Sequence, residues 1–114
     1  MQVEDQKAIV EVALKLTQDV IDGAQYQDYT QVAPSIFSDM GKYHAAIMLK
    51  TLLAKYLASS PSDMRLYLVS LRILRDAHSK GASAVAEQLG PEKVTVVYLE
   101  GFAEMTDSIV GLFD

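Results

Sequence analysis

Cysteine is absent from this chain, which excludes disulfides and thiolate metal ligands. Histidine is scarce. His44 and His78 are the two copies, and neither sits in an H-x-x-x-H or H-E-x-x-H pattern, so a helical zinc site has no support. No apolar run approaches the roughly 20 residues a membrane-spanning helix needs. The start is acidic at Glu4 and Asp5 and lacks a basic region followed by an apolar core, so no signal peptide is expected. Positive charge is in deficit, with ten Lys and Arg against fifteen Asp and Glu and a formal net charge of −5. That balance argues against phosphate backbones and anionic lipid as partners. Gly-rich phosphate loops are missing, and no serine has a histidine at a telling spacing. No catalytic, cofactor-binding or metal-binding residue is therefore expected. The composition suits a reducing cytoplasm.

What is present is enough for one domain. The 114 residues, half of them hydrophobic and 22% charged, read as a single helical domain over 1–114. A chain of this length buries roughly 65% of its unfolded surface in one core. The first helix is expected from Asp5 to Asp22, with Gly23 as a left-handed stop. Its apolar positions, including Ile9, Val10, Ala13, Leu14, Leu16, Val20 and Ile21, follow a helical rhythm. The stretch 24–40 is less regular, with Pro34 as a break and Ser35 opening a short turn. A long helix then fits Lys42 to Ser59. Ser60, Pro61 and Asp63 mark the next start as cap, first-turn proline and capping-box acid. That helix is expected to bury Leu66, Val69, Leu71, Ile73 and Leu74 and to stop at Gly81. Ser83 to Leu89 reads as a short helix closed by Gly90.

Pro91 opens the last helix. Val94, Val96 and Val97 would suit a strand, but two apolar seams run on unbroken to the end and favour helix. One seam is Tyr98, Phe102, Met105, Ile109 and Leu112; its neighbour is Leu99, Ala103, Thr106, Val110 and Phe113. Two adjacent seams imply a helix covered on both sides, either within its own bundle or between two protomers. The expected fold is all-α, a compact bundle of five to six helices, dimeric through Tyr98, Phe102, Met105, Ile109, Leu112 and Phe113.

Two resemblances are carried by short segments. Ala84 to Gly90, followed by Val96 and Leu99, resembles a helix-turn-helix, with Ala86 and Gly90 as the small residues of a tight crossing. This implies a transcriptional regulator touching DNA through 84–99. Its second helix would present Glu92, Lys93, Val94, Val97 and Tyr98, a set with one cation and poor chemistry for reading bases or phosphates. Pro91 also departs from the motif's apolar turn residue. The segment from His78 to Ala84 is similar to the phosphoacceptor region of histidine phosphotransfer domains. In that family a lysine three residues after the histidine steadies the phosphoryl group. Here Lys80 is two residues after His78, on another side of the helix, and Arg75 lies three before it.

The acidic pairs Asp19 with Asp22 and Glu100 with Glu104 fall on faces turned to water. Arg65, Arg72, Arg75 and Lys80 line one flank of a helix and suit an acidic partner. The sequence thus reads as a small non-enzymatic module that binds another protein, of adaptor, inhibitor, immunity or assembly-factor type.

Overall fold

A computed structural model describes the chain over 3–24 and 34–114, with the side chains of Val3, Pro34, Ser35 and 61–63 outside the described set. Four helices account for the fold: α1 (Val3–Ala24), α2 (Pro34–Leu57), α3 (Pro61–Leu89) and α4 (Val94–Gly111). No strand occurs among the described residues. The expected five to six helices become four because two anticipated joints are continuous. Pro34 starts α2 instead of breaking it, since a proline in the first turn gives up an N–H that has no helical acceptor. Gly81 lies inside α3, where glycine costs about 1 kcal/mol relative to alanine, too little to interrupt a helix packed along its length. Gly23 is likewise helical. Gly90 alone among the described residues has positive φ, at 99°, and its N–H donates to the Ala86 carbonyl at 2.9 Å.

Two local signals act differently from expectation. Ser60 is extended and precedes α3, but it makes no side-chain cap hydrogen bond; the Asp63 side chain and residues 25–33 lie outside the described residues. The last helix opens at Val94, because Pro91 to Lys93 form a turn.

The helices lie in the order α1, α2, α4, α3, each packed on the next. The resulting slab measures 43 × 32 × 17 Å. α3, at 29 residues and about 1.5 Å per residue, accounts for its length. α2 and α4 each have two major neighbours, whereas α1 packs chiefly on α2 and α3 chiefly on α4.

Two glycines set the closest contact. A Cβ on Gly41 of α2 would fall on the Tyr98 carbonyl oxygen, and one on Gly101 of α4 on the Ser38 carbonyl oxygen. Backbone meets backbone there, so no side-chain adjustment would make room. Ala45 and Leu49, further along α2, are fully buried with Ile109 and Val110 of α4. Each large aliphatic side chain so buried contributes about 2 kcal/mol. At the far end Tyr56 stacks against Phe113 at 5.4 Å and approaches Tyr67 at 6.1 Å, joining α2, α3 and the segment after α4. The buried hydroxyls of Thr17 and Thr106 donate to their own helices, at Leu14 and Phe102.

Candidate interaction surface

Between Met64 and Leu74, α3 carries large apolar residues on opposite sides, so its neighbours decide which side is covered. Met64, Leu71 and Ala82 are buried, with Tyr67, Leu68, Leu74 and His78 partly so. Leu66, Val69 and Ile73 point the other way and are 66%, 50% and 62% exposed. This corrects the expectation that all three enter the core. Nothing in the slab lies beyond α3 to receive them. Spaced three and four residues apart, they form a ridge along one face, continued by exposed Ala77.

The expected cation cluster divides. Arg72 donates from Nη2 to Asp114 Oδ1 at 2.8 Å. Arg75 turns toward α4, bonding Asp76 at 3.0 Å and lying 3.5 Å from Asp107. The Asp76 hydrogen bond raises the Arg75 pKa further above its usual value. Arg65 and Lys80 are exposed and form no ion pair among the described residues, so they are the pair left beside the ridge.

The seam expected to join two protomers is occupied within the chain. Phe102, Met105, Ile109 and Phe113 are buried and Tyr98 and Leu112 half-buried, because α4 lies between α2 and α3. Phe102 also stacks on His78, with ring centroids 4.0 Å apart and planes 12° from parallel. His78 Nδ1 lies 2.8 Å from the Leu74 carbonyl, which can only accept, so Nδ1 carries the proton and Nε2 is the remaining nitrogen. His44 is exposed, with Nδ1 2.6 Å from the Tyr98 hydroxyl.

In the segment 84–99, Glu92 to Thr95 are exposed, Val96 is buried and Val97 and Tyr98 are half-buried. α3 and α4 border an open polar groove of about 470 Å³, lined by Arg75, Asp76, Ser79, Glu100, Glu104 and Asp107 among others. Its acids are engaged or solvated: Glu104 pairs with Lys42 at 3.3 Å and Asp107 with Arg75. Asp22 accepts from Gln18 on the surface of α1. No group of three or more metal-ligating side chains occurs among the described residues. No described helix is long and apolar enough to cross a membrane.

A second exposed apolar feature was not legible from periodicity. Val12 is 52% and Leu16 40% exposed on α1, beside a groove of about 360 Å³ reaching Met105 and Ile109 of α4. Its signal is that Ile9, Val10, Ala13, Leu14, Val12 and Leu16 together exceed one helix face. No protein-family model, curated protein or solved structure matches the chain.

Proposed function

We propose that this protein is a small non-enzymatic interaction module that acts by binding another protein through the outward face of α3. The ridge of Leu66, Val69 and Ile73 supports this reading. Large aliphatic side chains at this spacing are what a partner helix covers, whereas singly scattered ones need no explanation. Arg65 and Lys80, exposed beside the ridge, favour a partner with acidic flanks. An adaptor, inhibitor, immunity or assembly role in the cytoplasm is the class this describes.

A photo-cross-linking residue at Val69, introduced in the cells that express the chain, tests the reading. It should give a discrete covalent adduct that is absent when the same residue replaces exposed Thr95. Absence of any adduct from 66, 69 and 73 would overturn it.

A further inference from the structure

Resting on that reading of α3, we infer that the partner of this face is α1 of a second copy of the chain, docked antiparallel. The two outer helices carry matching patterns. On α1 the exposed residues Asp5, Ala8, Val12, Leu16 and Asp19 follow spacings of three, four, four and three. On α3 the exposed residues Leu66, Val69, Ile73, Ala77 and Lys80 follow the same spacings. Each run spans about 21 Å at the helical rise.

Laid antiparallel, Leu16 meets Val69, Val12 meets Ile73 and Ala8 meets Ala77. Asp19 then falls beside Leu66 and Arg65, and Asp5 beside Lys80. The charges at the ends are opposite. Asp5, Asp19, Arg65 and Lys80 are exposed and form no ion pair among the described residues. α1 as a whole carries Glu4, Asp5, Glu11, Asp19 and Asp22 against Lys7 and Lys15, whereas α3 carries Arg65, Arg72, Arg75 and Lys80 against Asp63, Asp76 and Glu87. The two surfaces are different, and each copy offers both. A contact of one helix face against another is at the weak end of interfaces and needs high concentration.

Sedimentation of the full chain tests this. The weight-average mass should rise with concentration above the monomer's 12.5 kDa and fall back as salt is raised. Val12→Lys blocks one edge and Ile73→Gln the other. Both sites are more than half exposed, and circular dichroism should show each variant folded as the wild type is. Each variant alone should remain a monomer, and an equimolar mixture should form a 1:1 dimer, because each still offers the edge the other lacks. A charge exchange checks the direction: Asp5→Lys and Lys80→Glu should each weaken association, and the double variant should restore it. A wild type that stays monomeric up to about 1 mM overturns the inference, as does a mixture of single-edge variants that fails to dimerise. A monomeric wild type with a Val69 adduct of another mass would reject self-association and leave the reading of α3 standing. No adduct would reject both.

Discussion

α3 and α4 are both rich in apolar residues, yet they end in opposite situations. α4 lies between α2 and α3 and buries seven of its residues. α3 covers one side on α4 and leaves Leu66, Val69 and Ile73 in water. The difference comes from position in the slab and not from hydrophobicity. An inner helix needs two apolar faces to satisfy two neighbours; an outer helix with two apolar faces has one to spare. The spare face is the one we propose a partner covers.

The largest effect should come from denying α4 its inner position. Gly101→Leu would drive a side chain into the Ser38 carbonyl, and we expect no cooperative urea transition at all. A smaller substitution, Gly41→Ala, should cost about 3 kcal/mol, read from the urea midpoint, because a rigid backbone carbonyl opposes it. The alkaline limb of stability should be milder. Burial raises the Tyr56 hydroxyl above its usual 10.0, with Arg72 pulling weakly the other way. The unfolded chain then loses that proton first, so stability is intact below pH 10 and declines as pH rises through the folded value. Tyr56→Phe should flatten the decline in urea titrations between about pH 9 and 11. The smallest effect belongs to the outer helix: Arg72→Ala removes a largely solvated pair with Asp114 and should change stability by less than about 1 kcal/mol.

The all-helical class, the helical state of Val94 to Val97 and the end of α3 at Gly90 were legible in the sequence, because each rests on local periodicity or on one residue's backbone freedom. The doubled seam of α4 pointed to a helix covered on both sides, and α2 and α3 are the neighbours that cover it. The joint at Gly81 was misread because a single glycine breaks a helix only when the surrounding packing does not outweigh it, and Pro34 because a proline in the first turn is compatible with the helix it opens. The ridge on α3 was hidden for a different reason. Its helix offers apolar residues in both directions, and periodicity cannot choose between two apolar faces. The engagement of Arg72 and Arg75 was equally remote, since Asp107 and Asp114 lie more than thirty residues away along the chain.

Ile109 and Ile73 place the same side chain on the two helices, 0% and 62% exposed. Urea denaturation of Ile109→Ala and Ile73→Ala, at a concentration low enough to keep the chain monomeric, compares them directly. We expect a loss of about 4 kcal/mol for Ile109→Ala and a change within about 0.5 kcal/mol for Ile73→Ala. Equal losses at the two positions would contradict this, because Ile73 would then be a core residue and α3 would have no face to offer.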